Sequence, residues 1–304
     1  MAPDSPFLSL AIPLHNEAGN LNSLYQEIKA VLEEMGIAYE IIFVNDGSTD
    51  DTPHILRQIK RKDPQVRVIE HKQNYGEAAA ISAGFKFFRG DILVTMDGDG
   101  QNDPRDIPRL VQKIKEGYKA VTGWRKKRKE KYLTRTFPSL IANKIISFIS
   151  GVNSHDNGCG LKAYKAEVVR GFILPHGFHR FLPAVLGVKN NEVAEVVVND
   201  RKRTYGQSHY GLSRIKEVVR DLLTIQFVLH NPKFWLSAFR LLSPIFFGIT
   251  LGMLVILVFN PKISLLFAGC GCLAVAIALR VIFKNLERVI TIREKTEFQR
   301  EEWE

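Results

Sequence analysis

The chain has 304 residues, of which 45% are hydrophobic, and a formal net charge of +10. This length allows one α/β domain of ordinary size with additional elements, and the hydrophobic content excludes a wholly disordered chain. A basic chain can bind nucleic acid. However, the sequence contains no known nucleic-acid module and no aromatic residues interleaved with its basic ones, so we predict no nucleic-acid partner.

Short apolar runs alternate with amphipathic segments over the first hundred or so residues. Strands are predicted at Phe7–Pro13, Tyr39–Val44, Val66–Ile69 and Ile92–Met96, and helices at Glu17–Met35, Asp51–Lys62, Glu77–Phe88 and Pro104–Glu116. This alternation predicts an α/β fold, with a mostly parallel sheet covered by helices on both faces. Ligands of such sheets bind at the carboxyl ends of the strands, where each of these four strands is followed by polar residues.

Two carboxylates, Asp97 and Asp99, follow the fourth strand directly, and Gln101 comes two residues later. Carboxylate and amide oxygens suit Mg²⁺ or Mn²⁺, which also takes water and phosphate oxygens as ligands. The same residues would form an ordinary tight turn, because Asp tolerates left-handed backbone and Gly has no Cβ. Taken alone, the segment leaves both a metal site and a turn open.

The polar residues after the second strand also have two interpretations. Ser48, Thr49 and Asp50 could simply cap the helix that begins near Asp51. Capping does not explain Asp46, whose carboxylate could reach a base or a ribose. The chain has no GxxxxGK[ST] or GxGxxG fingerprint, which weakens the ATPase and NAD interpretations.

Several segments suggest contact with a membrane surface. Arg125–Arg135 holds seven Lys or Arg in eleven residues, which favours anionic headgroups over a solvated loop without a partner. Thr134–Ile149 and Ser213–Leu229 have apolar residues at helical spacing, and each could lie at the interface or face the core. His176 and His179 invite a zinc interpretation, but no third ligand lies at a plausible spacing, so a loop that shapes the acceptor or sugar site is favoured.

Two long apolar segments lie near the end of the chain. Leu241–Phe259 has no charged residue, and Ile263–Phe283 carries only Arg280. Each is long enough to cross a bilayer, and two such segments in tandem favour a transmembrane hairpin over a buried hairpin of a soluble core. Basic residues flank the hairpin, so the large domain and the C-terminus are expected in the cytosol, at the plasma membrane if the source is prokaryotic. Phe7–Leu14 is read as a core strand rather than a signal peptide, because it is short and follows no basic region.

The expected organisation follows the chain. It has a cytosolic catalytic domain at 1–210, amphipathic juxtamembrane helices at 211–239, two transmembrane helices within 240–284 (about 241–259 and 263–283), and a charged cytosolic tail at 285–304. Cys159, Cys270 and Cys272 form no disulfide framework, which indicates a reducing compartment for the large domain.

Four motifs occur in a fixed order: Pro13 with Asn16-Glu17, the run from Val44 to Asp50, Asn74-Tyr75-Gly76, and Asp97-x-Asp99-x-Gln101-x-x-Pro104. This order resembles that of the family-2 inverting glycosyltransferases, and especially their polyprenyl-phosphate branch, which includes the dolichol-phosphate mannose synthases. The resemblance continues through Gly123-Trp124-Arg125, Asp156–Lys162, Arg203–Ser208 and the hairpin, so it covers nearly the whole chain. It implies a GT-A (Rossmann-like) fold.

The resemblance also implies roles for matching residues. Asp97, Asp99 and Gln101 would hold Mg²⁺ or Mn²⁺ on the donor diphosphate, and Asp97, Asp99 and Arg125 would be catalytic. The implied nucleotide-binding residues are Pro13, Asn16, Glu17, Asp46, Lys72 and Gly76. The implied contacts of the acceptor phosphate are Arg125, Asp156, Lys162, Arg203 and Ser208.

The chain departs from the family pattern at two positions. Lys162 stands where relatives often have Arg, so the charge is kept but a two-pronged hydrogen bond to phosphate is lost. His209-Tyr210 stands where relatives commonly have Lys-Tyr, which would make the charge of that loop depend on pH.

The implied activity is transfer of a sugar from a nucleotide sugar to undecaprenyl or dolichyl phosphate, with inversion at the anomeric carbon. A UDP-sugar is favoured as donor over GDP-mannose, and membrane lipids and a second copy bound through the hairpin are further expected partners. A processive polysaccharide synthase is one alternative, although the chain lacks a QxxRW motif and further spans. A non-catalytic, membrane-tethered protein that binds nucleotide or anionic lipid is another, against which the Asp97 and Asp99 pair argues.

Overall fold

The computed structural model describes residues 6–126, 152–175, 177–202, 231–259, 263–297 and 300–302, with the single positions 147, 220, 224 and 227. The chain divides into two compact units, Met1–Tyr210 with Ile292–Glu304, and Gly211–Thr291. The first unit contains a large β-sheet with its helices. The second contains most of two long apolar helices.

The strands of the sheet are β1 Leu8–Leu14, β2 Tyr39–Asn45, β3 Val66–His71, β4 Ile92–Thr95, β5 Ala120–Trp124, β6 Lys162–Lys165, β7 Val193–Val197 and β8 Arg300–Glu302. The helices are α1 Ala18–Glu34, α2 Thr52–Lys62, α3 Glu77–Phe87, α4 Ile107–Lys115, α5 Ala166–Val169, α6 Leu182–Val185, α7 Pro232–Phe259 and α8 Ile263–Glu297. Within the described residues, short 3₁₀ turns lie at Pro104–Asp106, Phe178–Phe181 and Asn190–Glu192.

The eight strands form one sheet in the order β7-β5-β6-β4-β1-β2-β3-β8. β1 pairs in parallel with β2 and β4, β2 with β3, and β5 with β7. β6 runs antiparallel between β4 and β5, and β8 runs antiparallel along β3. The prediction of a mostly parallel α/β sheet is confirmed, and β1–β4 lie within two residues of their predicted positions.

Helices cover both faces of the sheet. Leu8, Leu10 and Ile12 alternate along β1 and share a core with Leu21 and Ile28 of α1. The alternate residues of β1 face α3, which lies so close that a Cβ at Gly84 would come within 2.8 Å of the Cβ of Ala11. Both faces of β1 are therefore covered, as its continuous apolar sequence requires.

The last strand was not expected from the sequence. Arg300–Glu302 lies in the segment assigned to a charged tail, yet it pairs with Ile69–His71 of β3. A strand edge exposes unpaired backbone groups, and a short segment that pairs with it satisfies them. This part of the 285–304 segment therefore extends the sheet rather than lying free of it.

The two long helices contain the predicted membrane spans. Their apolar stretches, Lys233–Leu257 and Ala268–Glu287, have mean hydropathies of 2.0 and 1.6 and are long enough to cross a membrane. Leu241 and Leu251 of α7 are 67% and 65% exposed. An outward-facing apolar surface of this kind does not fit the alternative of a buried hairpin in a soluble core.

Candidate active site

The polar loops after β1 and β2 are tied together by hydrogen bonds. The backbone N–H of Asn16 donates to Oγ of Ser48 at 2.9 Å, and the N–H of Thr49 donates to Oδ1 of Asn16 at 2.8 Å. Asn16 has a left-handed φ of 57°, which Asn tolerates better than most residues. Ser48 and Thr49 thus connect two loops, and Glu17 is joined in the same way, since its N–H donates to Oγ1 of Thr52 at 3.0 Å.

Asp46 fixes the loop after β3. Its buried carboxylate accepts hydrogen bonds from the backbone N–H groups of Tyr75 at 3.0 Å and Gly76 at 2.7 Å, and it lies 2.7 Å from Nδ1 of His71. Gly47 beside it has a φ of +62°, and a Cβ there would collide with the backbone of Gln73. In this structure Asp46 therefore shapes the candidate nucleotide site through the loop that carries Lys72 and Gly76.

Asp97 and Asp99 leave the carboxyl end of β4 beside these loops. The N–H of Asp97 donates to Oδ1 of Asn102 at 3.1 Å, and the N–H of Gln101 donates to Oδ1 of Asp99 at 3.0 Å. Burial, then the carboxylates of Glu77 and Asp99, raise the pKa of Asp97 to about 7. A buried carboxylate with anionic neighbours is stabilised in its charged form by a bound cation.

The residues present fit a divalent metal. Two carboxylates and an amide oxygen are a typical protein share for Mg²⁺, whose other ligands are water and phosphate. Among the described residues no group of three or more His, Cys, Asp and Glu could hold a metal ion. A site that relied on protein ligands alone is therefore not found in this part of the chain.

We expect the ionisation of Asp97 to cost the metal-free protein stability as pH rises from about 4 to about 8. The pKa of Asp97 is raised from 3.8 to about 7 in the fold. A group with a raised folded-state pKa contributes stability that is complete below its unfolded pKa and is lost as pH rises through the folded value. Thermal unfolding in detergent with EDTA measures this, and adding Mn²⁺ at pH 8 should recover the melting temperature. A melting temperature that rises steadily to pH 8 without metal would contradict the expectation.

Arg125, which is partly buried, forms an ion pair with the buried Asp156. Nε and Nη2 of Arg125 donate to the two carboxylate oxygens of Asp156 at 2.8 and 3.1 Å. Burial disfavours the charged guanidinium, but the hydrogen bonds and charge of Asp156 outweigh it, so the pKa of Arg125 is raised. Arg125 therefore stays a cation, held in one orientation at the end of β5.

Lys162 begins β6 and is buried, only 3% exposed. Its ammonium group donates to the carbonyl oxygen of Cys159, and burial lowers the pKa of Lys162. Gly160, two residues earlier, lies directly against the carboxylate of Asp97. The segment from Asp156 to Lys162 thus brings the candidate acceptor residues to the candidate metal residues.

If the acceptor is the polyprenyl phosphate that the sequence predicts, Arg125→Lys should lower kcat/KM for it by about 10- to 100-fold, because an ammonium group cannot reproduce the two-pronged hydrogen bond to Asp156. Steady-state kinetics on purified protein measure this. The matched control is Arg105→Lys, since Arg105 makes an equivalent pair with Asp103, at 3.0 and 2.7 Å, on an exposed side chain. Equal losses in both variants would argue against a specific role of Arg125.

One pocket joins these groups. It is lined by Pro13, Glu77, Ile81, Thr95, Met96, Asp97, Asn157, Gly158, Cys159, Gly160, Lys162, His179 and Leu182. Pro13, Asp97 and Lys162 were singled out from the sequence. Glu77 was assigned only to a helix, because no short motif marks it as part of the site. His179 was considered as a zinc ligand and, in preference, as part of a loop that shapes the acceptor or sugar site, and it lines this pocket.

Some predicted site residues lie outside the described residues. These are Arg203, Ser208, His209 and His176, the basic cluster beyond Lys126, and most of the amphipathic segments 134–149 and 213–229. Their assignments stay predictions.

Comparison with known proteins gives the family. Residues 9–172 match the profile of glycosyl transferase family 2. The chain belongs to glycosyl transferase family 2. This family-2 chain is 39% identical over 224 residues to the dodecaprenyl-phosphate galacturonate synthase of Rhizobium johnstonii, covering 72% of this chain and 66% of the relative. It is 36% identical over 219 residues to the undecaprenyl-phosphate 4-deoxy-4-formamido-L-arabinose transferase of Shewanella sediminis, again covering 72% and 66%.

These alignments span about two thirds of the length of both curated relatives. A solved structure of glucosyl-3-phosphoglycerate synthase from Mycobacterium tuberculosis with uridine diphosphate matches at a TM-score of 0.55 and 21% identity, covering 72% of this chain and 79% of that one. The same enzyme with Mn²⁺, uridine diphosphate and glucosyl-3-phosphoglycerate matches at a TM-score of 0.54. These matches confirm the fold predicted for the family-2 domain.

Proposed function

We propose that this protein transfers a sugar from a nucleotide sugar to a polyprenyl phosphate with inversion at the anomeric carbon, giving a polyprenyl-monophosphate sugar. The observation that carries the proposal is the single pocket lined by Asp97 from the end of β4 and Lys162 from β6. An acidic group suited to a metal-bound diphosphate and a buried cation suited to a second phosphate thus face one space. The names of the two relatives, both transferases or synthases of polyprenyl-phosphate sugars, support the choice of acceptor.

The chemistry of the acceptor explains why no protein base is required. A phosphate monoester has a second pKa of about 6, so at cytosolic pH its attacking oxygen is largely ionised. That oxygen forms a bond to the anomeric carbon while the bond from this carbon to the nucleoside diphosphate breaks, and the diphosphate leaves as an anion. The protein must align the two anions and offset their repulsion.

Different residues of this chain would hold the metal, the nucleotide and the acceptor phosphate. Asp97, Asp99 and Gln101 would hold Mg²⁺ or Mn²⁺, which when bound supplies positive charge to the leaving diphosphate. The loops around Asn16, Glu17 and Asp46 would hold the nucleotide. Arg125, kept in place by Asp156, and Lys162 would hold the acceptor phosphate close to the donor.

The two long helices complete the proposal. We place α7 and α8 in a membrane, with the sheet unit and the C-terminus in the cytosol, at the plasma membrane if the source is prokaryotic. A lipid acceptor has its phosphate at that surface, so an anchored enzyme meets it there. Association of two copies through the hairpin is part of the proposal, and cross-linking of the protein in membranes tests it.

An experiment can identify the sugar and the nucleotide of the donor. The relatives' names state galacturonate in one case and a formamido sugar in the other, and we favour UDP over GDP as the carrier. Purified protein incubated with polyprenyl phosphate, Mg²⁺ or Mn²⁺ and a panel of nucleotide sugars should give a lipid product whose mass identifies the sugar. Formation of a long polysaccharide would instead support a processive synthase. The absence of any product with every donor that binds would support a non-catalytic protein.

A further inference from the structure

Two polar side chains of the pocket have no role in the function proposed above. Glu77 is the first residue of α3, and His179 lies in the 3₁₀ turn Phe178–Phe181. Nε2 of His179 lies 3.5 Å from Oε2 of Glu77, with the two side chains 16% and 42% exposed. Elements distant in sequence thus bring an acid and an imidazole together inside the pocket.

Glu77 and His179 lie where they could contact the transferred sugar. If the proposed function holds, the donor diphosphate lies at Asp97 and the acceptor phosphate lies near Lys162. The anomeric carbon must then lie between these two residues, which line the same pocket as Glu77 and His179. The sugar ring attached to that carbon is the part of the substrate that the pair can reach.

The negative charge of Glu77 acts across this pocket. Glu77 and Asp97 line the same pocket, so the carboxylate of Glu77 adds a second negative charge to its wall. Lys162 lines the same pocket but donates to the carbonyl oxygen of Cys159, whereas Arg125 is not among the lining residues and donates to Asp156. The Glu77 side of the pocket therefore suits hydrogen-bond donors and disfavours a second anion.

We propose that Glu77, paired with His179, contacts the transferred sugar and selects an uncharged sugar over a uronic acid. The inference rests on the proposed function and narrows its donor class. The carboxylate of Glu77 accepts hydrogen bonds from sugar hydroxyl or amide groups. A uronate carboxylate at the same distance is repelled. Although the Glu77 side chain is 42% exposed, repulsion across a few ångströms is sufficient for about a tenfold difference in affinity.

Calorimetric titration of the full chain in detergent with Mn²⁺ tests the proposal without requiring turnover. UDP and GDP are titrated first to find the nucleotide that binds. Donor pairs that differ in the charge at the sixth carbon are titrated next: UDP-glucose against UDP-glucuronate and UDP-galactose against UDP-galacturonate, or GDP-mannose against GDP-mannuronate. We expect the uncharged member to bind about tenfold more tightly.

Three variants distinguish an effect of the Glu77 charge on donor preference from an effect on folding. Glu77→Gln should bring each ratio close to one, and measurable binding of the free nucleoside diphosphate shows that the variant is folded. His179→Gln removes the imidazole but not the carboxylate, so the preference should persist. Glu116→Gln makes the same charge change at an exposed residue paired with Lys113, and its ratio should equal that of the wild type.

The outcomes are distinct. A wild-type ratio near one or in favour of the uronate, or a preference that Glu77→Gln leaves unchanged, overturns the inference while the proposed function stands. Failure of both UDP and GDP to bind overturns the proposed function and the inference together.

Discussion

Asp97→Asn is expected to reduce sugar transfer by about a thousandfold while the protein stays folded. The substitution keeps the shape of the side chain but removes the negative charge that would hold a cation on the departing diphosphate, and losses of this size follow from removing such charge stabilisation. Initial rates at saturating donor, acceptor, Mg²⁺ and Mn²⁺ measure the effect. Near-wild-type turnover under those conditions would remove Asp97 from the metal site, and Asp99→Asn tests its neighbour in the same way.

The same variant has a second signature that does not depend on turnover. Because the pKa of Asp97 is raised to about 7, its ionisation opposes folding at pH 8 without metal, and an uncharged Asn relieves that cost. Metal-free Asp97→Asn should therefore unfold at a higher temperature than the wild type at pH 8 and should gain little from added Mn²⁺. Asp51→Asn is the control, since Asp51 is exposed and its replacement should change neither property.

Gly160→Ala is expected to cost at least about a hundredfold in kcat. A Cβ at this position would overlap the carboxylate of Asp97, and Asp97 cannot move freely because it lies in a buried strand end. A displacement of about 1 Å at a reacting centre is sufficient for a loss of this size. Kinetic assays together with Mn²⁺ titration measure it, and both metal affinity and turnover should fall.

Gly158→Ala is the matched comparison. It lies two residues away in the same segment, but its Cβ would meet Nη2 of Arg125 at 3.6 Å and Oδ1 of Asp156 at 3.7 Å, which are ordinary contacts. We expect a loss of less than about tenfold for this variant. Similar losses in the two variants would contradict a specific contact between Gly160 and Asp97. They would mean instead that the segment tolerates a side chain at neither position.

The first half of the fold could be predicted because its signals are local. β1 to β4 are short apolar runs separated by amphipathic helices, and this pattern specifies a parallel sheet and the edge where its polar loops meet. Asp97 and Asp99 could be placed at that edge from their position after β4. The burial of Asp97 near other carboxylates favours a metal site over a simple turn. No local sequence pattern shows that burial.

The second half depends on contacts between distant residues. β6 consists of Lys-Ala-Tyr-Lys, which does not read as a buried strand, and it is one only because it pairs with both β4 and β5. Glu77 is an ordinary first residue of a helix in the sequence, and only the fold brings His179 beside it. The hydrogen bonds of Asp46 to the loop at Tyr75 and Gly76 were missed for the same reason.

The insertion of β6 between β4 and β5 also has a consequence for the nascent chain. Residues 162–165 are synthesised after both of the strands that they join. Until they enter the sheet, β4 has an unpaired edge on the side away from β1, and such an edge can pair with another chain. Lys162, the first residue of β6, therefore reaches the pocket beside Asp97 in the same step that covers this edge.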